Sequence, residues 1–227
     1  MYIFGKGSEA MKILMTGFEP FGLHKLNPSW EAVNALPDRI EGAEIIKLRL
    51  PVSFGRFTSP LEEAVRRECP DCLISVGLAG GERQISIERV GINLEEARIP
   101  DNDGEQPFDI PVRRDGQNAY FSTLPVKRIA KEIEKEGIPV CVSYSAGTFV
   151  CNAVMYTGLY LAEQENRNMR CCFIHVPYDE TMEEAGKGEP FLPRAEMVKA
   201  LKAAVRVAVK AAGEGAGDLR EAAGTIF

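Results

Sequence analysis

The chain holds only two histidines, His24 and His175. Imidazole is the side chain that ordinarily titrates near neutrality, so a histidine base, if there is one, is one of these two. His175 stands next to last in the apolar run CCFIHV, just before Val176-Pro177, which places it at the carboxyl end of a strand. The plain alternative is a half-buried histidine bonded to backbone. His24 falls in a Gly- and Pro-rich segment, where a histidine is ordinarily just solvated. Cys151 follows the small-residue turn of SYSAGTFVCN and stands where a helix begins. A thiol there feels the positive end of the helix macrodipole, which favours the thiolate, and free backbone N–H groups of the first turn can hold an oxyanion. Its alternative is packing on an amphipathic helix. Glu88 lies in the alternating run ISIERV. It reads either as a solvated strand residue or as the carboxylate that orients an imidazole beside a thiol.

Other patterns fail on their chemistry. Cys69-Pro-Asp-Cys72 has CxxC spacing but no second ligand pair, and it precedes a strand rather than opening a helix, so neither zinc nor a redox dithiol is expected. Gly77, Gly80 and Gly81 form a glycine-rich turn that matches neither dinucleotide nor P-loop spacing. No GxSxG elbow and no HExxH pair occurs. Asp101, Asp103 and Glu105 are acidic, but Ile110 occupies the position where a calcium loop needs its glutamate.

These candidates need elements to position them. Residues 12–16 form a short apolar run that predicts a buried first strand, and Asn27-Pro28-Ser29 predicts a helix start with Trp30, Val33 and Leu36 at helical spacing. Strands are expected over 43–52, 73–76, 139–143 and 171–176, and a half-exposed one over 85–90. Helices are expected from Ser59 as N-cap with Pro60 first in the helix, and over 125–136, 151–165 and 196–212. Residues 98–120 lack periodicity and read as a long functional loop. Short apolar strands alternating with helices imply a single-domain α/β/α sandwich around a mostly parallel twisted sheet, with its site at the carboxyl ends of strands. Residues 1–10 read as an N-terminal extension, 11–212 as one catalytic domain and 213–227 as a mobile tail.

Composition agrees. The chain has 227 residues, 45% of them hydrophobic and 26% charged, with a net charge of −6. Such a chain buries a core without staples. Its acidity argues against nucleic acid or an anionic membrane as partner, and no apolar run approaches the length of a membrane span. With no secretory signal read at the start, the six cysteines are expected reduced in a cytoplasmic protein.

Taken together, MTGFEPFG with NPSWEAV, VGLAGGERQISIERVGINLEEARIPDNDG, AYFSTLPVKRI, SYSAGTFVCN and FIHVPY resemble the pyroglutamyl peptidase type I family of cytosolic cysteine peptidases. The resemblance runs from Met11 to about Tyr178. It implies that Cys151 is the nucleophile, His175 its imidazole partner and Glu88 the orienting carboxylate, without metal or organic cofactor. The implied reaction is removal of an N-terminal pyroglutamyl residue from peptide substrates through an acyl-enzyme. The resemblance also implies a substrate site containing Phe18, Phe21, Asn27, Leu78, Arg98 and Phe149, and a homo-oligomer, often a tetramer. Read from the residues alone, each aromatic is more at home in a core than in a substrate site, and the alternative for Arg98 is a salt bridge with a nearby glutamate. Two departures stand out. Leu78 replaces a glutamine found in some relatives, so a side-chain hydrogen bond to the substrate is impossible there. Leu23-His24-Lys25 follows the GFEPFG loop where relatives often carry another glycine. Another Cys–His amidase with a different acyl specificity, a non-catalytic ligand-binding relative, and a nucleoside-handling enzyme using the Gly77–Gly81 turn are the competing readings.

Overall fold

The computed structural model describes residues 10–165, 168–214 and 217–223. The proposed extension at 1–10 lies, apart from Ala10, outside the described residues. Chain order is β1 (Lys12–Phe18), α1 (Pro28–Asn34), β2 (Arg39–Ile40), β3 (Ala43–Leu50), α2 (Thr58–Glu68), β4 (Cys72–Leu78), β5 (Ile85–Glu88), β6 (Val90–Ile92), β7 (Ala119–Phe121), α3 (Val126–Lys135), β8 (Val140–Ser143), α4 (Val150–Gln164), β9 (Arg170–Val176), α5 (Glu183–Gly186) and α6 (Arg194–Glu214). The main sheet runs β2-β3-β1-β4-β9-β5-β8, with β6 and β7 forming a separate antiparallel pair. β3-β1-β4-β9 is parallel throughout, as is β5-β8, whereas β5 runs antiparallel to β9 and β2 to β3.

Side chains alternate across the sheet with the period of two that a strand imposes. Ile13, Met15, Ile74, Val76, Ile85, Ile87, Cys172 and Ile174 pack with α1, α3 and α6 on one face. Leu14, Leu73, Cys171 and Phe173 pack with α2 and α4 on the other. Both faces are covered, which is why these short strands read as continuous apolar runs.

Several expectations change. The strand expected over 85–90 is cut at Arg89, where the chain leaves the main sheet for β6. Its four residues are all buried rather than half exposed. The alternation in ISIE thus separates two covered faces, not core from water. Glu88 follows the same correction and is 2% exposed. α2 starts two residues early, with Phe57 at the cap and no side-chain cap bond, so Ser59 is not the N-cap and Pro60 is not first in the helix. The segment 217–223, expected to be loose, lies against α3. The Asp218 carboxylate accepts from the backbone N–H groups of Lys127 and Arg128, and the Tyr144 hydroxyl donates to the carbonyl of Ala223. Residues 215–216 and 224–227 of that tail lie outside the described residues.

Candidate active site

Parity along three strands decides what meets α4. Cys171 and Phe173 face α4, so His175, two residues on, faces the same way. Ile85 and Ile87 face away, so Glu88 also points to the α4 side. The register sets His175 between Gly77 of β4 and Ser86 of β5, with Glu88 one diagonal step away opposite Phe173. β5 runs against β9, so Glu88 and His175 converge from opposite strand directions. The Nδ1–H of His175 donates to Oε1 of Glu88 at 2.8 Å. Oε2 of Glu88 is buried and has no partner among the described residues.

Cys151 is the second residue of α4, which starts from Phe149 without a side-chain cap. Among the described residues nothing accepts from the backbone N–H groups of Val150 and Cys151, so they remain open to an anion. The helix start is mounted by the neighbouring Asn152, which is wholly buried. Its amide accepts from the N–H of Ile92 and donates to the carbonyls of Ile92 and Leu94. Gly77 supplies the space below the thiol. A methyl built there would stand 2.8 Å from Sγ of Cys151 and 2.8 Å from the Phe173 ring.

Electrostatics follow from this packing. Burial pulls the His175 imidazole toward its neutral form. Its hydrogen bonds to Cys151 and Glu88, with the charges of both, outweigh that and raise it from 6.5 to about 10. The thiols of the core behave differently. Burial pushes Cys72 up to about 12 and raises Cys171 and Cys172 further. Cys151 is partly exposed, and all six cysteines are free.

Cys151 lines a cavity of about 390 Å³ whose walls also include Phe18, Phe21, Asn27, Leu78, Arg98 and Phe149. All six residues expected at a substrate site therefore share one cavity. The Phe149 ring stands edge-on between Phe21, at 5.5 Å, and Phe54, at 5.2 Å. Asn27 is engaged within its own loop. It caps α1 by accepting from the backbone N–H and hydroxyl of Ser29, and it donates to the carbonyl of Glu19. Arg98 is exposed and forms no ion pair among the described residues, so the salt bridge considered for it is absent there. No carboxylate lines the cavity among the described residues.

Sequence reasoning missed other lining groups. His24, expected to be solvated, lines the cavity with its ring 3.6 Å from a Glu184 carboxylate oxygen. Val52, Ile99 and Tyr178 line it too. Only Tyr178 had a usable signal, standing three residues beyond His175 at the end of a strand whose carboxyl end was expected to carry the site.

A family profile described as pyroglutamyl peptidase matches residues 11–211. The chain belongs to the pyroglutamyl peptidase family. Pyrrolidone-carboxylate peptidase 1 of Caldanaerobacter subterraneus subsp. tengcongensis is 46% identical over 203 residues, spanning 88% of this chain and 99% of that relative. The crystal structure of pyroglutamyl peptidase I from Bacillus amyloliquefaciens superposes with a TM-score of 0.86 at 46% identity, covering 92% of this chain and all of that one. Pyrrolidone carboxyl peptidase from Thermococcus litoralis gives a TM-score of 0.88 at 36% identity over 93% and 99% of the two chains. As a member of the pyroglutamyl peptidase family, the chain is a cysteine omega peptidase of mostly parallel α/β fold that removes N-terminal pyroglutamate.

Proposed function

We propose that Cys151, His175 and Glu88 act as the triad of this pyroglutamyl peptidase. The Cys151 thiolate attacks the carbonyl that joins the pyroglutamyl ring to the next residue. The tetrahedral oxyanion is received by the open N–H groups at the start of α4, with the Arg98 guanidinium at the cavity wall. Collapse breaks the C–N bond as the His175 imidazolium gives its proton to the leaving amine. Neutral His175 then takes a proton from water as it attacks the thioester; collapse breaks the C–S bond, releases free pyroglutamic acid and restores the thiolate–imidazolium pair. Glu88 fixes the ring orientation and stabilises its charged form.

The observation that carries this reading is the buried Glu88–His175 bond together with Cys151 at the start of α4, lining the cavity. The acyl specificity has independent support. A lactam is flat and neutral, and walls of Phe18, Phe21, Leu78 and Phe149 without a lining carboxylate suit it better than a charged N-terminus. That argues against the amidase with a cationic substrate. Six free thiols fit a cytoplasmic, reducing setting. Exposed Phe108 and Phe121 leave apolar surface for a homo-oligomer such as a tetramer.

The test is release of a fluorescent amine from a pyroglutamyl amide under reducing conditions, beside a prolyl amide. The same preparation is sized by light scattering. Activity confined to the lactam, absent in Cys151→Ser, is expected, on a particle larger than one chain. No activity in the folded, reduced wild type would reject the reading. Activity surviving in Cys151→Ser would reject the nucleophile.

A further inference from the structure

A pyroglutamyl ring carries one N–H and one C=O, and both lose water when the ring enters an apolar cavity. A site that pairs them discriminates; one that does not pays their full desolvation. The cavity offers few side chains for this. The amide of Asn27 is engaged at both ends within its own loop. Leu78 has no polar atom. Arg98 cannot accept from the ring N–H and is assigned above to the oxyanion, and His24 is turned toward Glu184. Tyr178 remains.

The geometry points to the Tyr178 hydroxyl as the side-chain group that hydrogen-bonds the pyroglutamyl lactam, which makes Tyr178 a specificity-determining residue. This rests on reading the cavity as the pyroglutamyl site. A phenol both donates and accepts, so it can serve either lactam group. No protein group bonds the Tyr178 hydroxyl among the described residues. Burial first, and then Glu184 and Glu189, raise its pKa, so it meets the substrate as a neutral O–H.

Its position is fixed from two sides. The hydroxyl rests on Gly80, where any side chain would collide with it. Its backbone pairs with Phe191, and its carbonyl accepts from the N–H of Leu192 at 2.9 Å. Gly77, beneath the Cys151 sulfur, lies three residues before Gly80. Three residues of extended chain span at most about 11 Å. Sulfur and phenol both stand over this short segment and line one cavity, the placement required by a lactam attacked at its scissile carbonyl and bonded at its ring amide. Such a pre-organised partner costs little ordering on binding.

Tyr178→Phe removes the hydroxyl and keeps the ring on Gly80. The readouts are KM for a pyroglutamyl amide, the inhibition constant of 2-pyrrolidone, which is the bare lactam, and the rate of Cys151 alkylation by iodoacetamide. The expected result is a roughly tenfold rise in both KM and the inhibition constant, with alkylation and melting temperature unchanged. Gly80→Ala, which displaces the phenol, should raise the same inhibition constant. An unchanged inhibition constant in both variants overturns the proposal while wild-type turnover leaves the peptidase reading intact. A loss confined to kcat overturns it as well, since it would place Tyr178 on the reacting bond or the leaving group instead.

Discussion

His175 is a buried base that its surroundings keep charged. Burial works against the proton, and the bonds to Cys151 and Glu88 overcome it, moving the imidazole from 6.5 to about 10. Because the folded value lies above the unfolded one, the bound proton contributes stability that is complete below pH 6.5 and lost as pH rises through about 10. The same proton is the one given to the leaving amine, so activity falls over the alkaline part of that range. Glu88→Gln replaces the carboxylate with a neutral group of the same shape. The alkaline limb of kcat/KM should then move down by about 1–3 pH units, and kcat should fall by about 100-fold or more. The melting temperature of the wild type should decline between pH 6.5 and 10, and that decline should flatten in the variant. A pH–rate profile and thermal melts across that range check both. An alkaline limb that stays in place would take Glu88 out of the imidazole's support.

At the scale of elements, the thiol is set by a helix start and by a strand that leaves room for it. Asn152 binds the first turn of α4 to the chain at Ile92 and Leu94, and β4 presents Gly77 below Sγ. The backbone of Gly77 is not in the left-handed region, so alanine there tests space rather than strain. Its methyl would stand 2.8 Å from both Sγ and the Phe173 ring, so one of them must move. Overpacking of this kind costs about 1–3 kcal/mol, and displacing a reacting atom by about 1 Å costs on the order of 100-fold in rate. Gly77→Ala should therefore remain folded with a lowered melting temperature and lose about two orders of magnitude in kcat/KM toward a pyroglutamyl amide. Wild-type turnover in that variant would mean that Sγ does not lie over residue 77 during the reaction.

For the molecule as a whole, the parts legible in sequence are those written in local pattern. The apolar runs at β1, β4 and β9 and the turn before Cys151 read correctly because burial on both faces and a helix start leave marks within a few residues. Glu88 did not read as buried, because period-two alternation looks the same whether the second face meets water or another layer. The insertion of β9 between β4 and β5 has no local signature, since it depends on pairing across about a hundred residues. Asp218 is a similar case. It lies beyond the span matched by the family profile, and its composition reads as tail. Yet α3 begins at Pro125 without a side-chain cap, and the Asp218 carboxylate takes that place from 90 residues away. A cap of this kind contributes about 1 kcal/mol, aided by the helix macrodipole. Asp218→Ala should lower the melting temperature by about 2–4 °C. α3 packs on the face opposite Cys151, so kcat/KM toward a pyroglutamyl amide should stay within about twofold of wild type, a change too small to signal lost transition-state contacts. Calorimetry and the amide assay on one preparation separate the two effects. A fall in activity with an unchanged melting temperature would instead mean that the tail acts on the site, through the bond from Tyr144 to Ala223 at the end of β8.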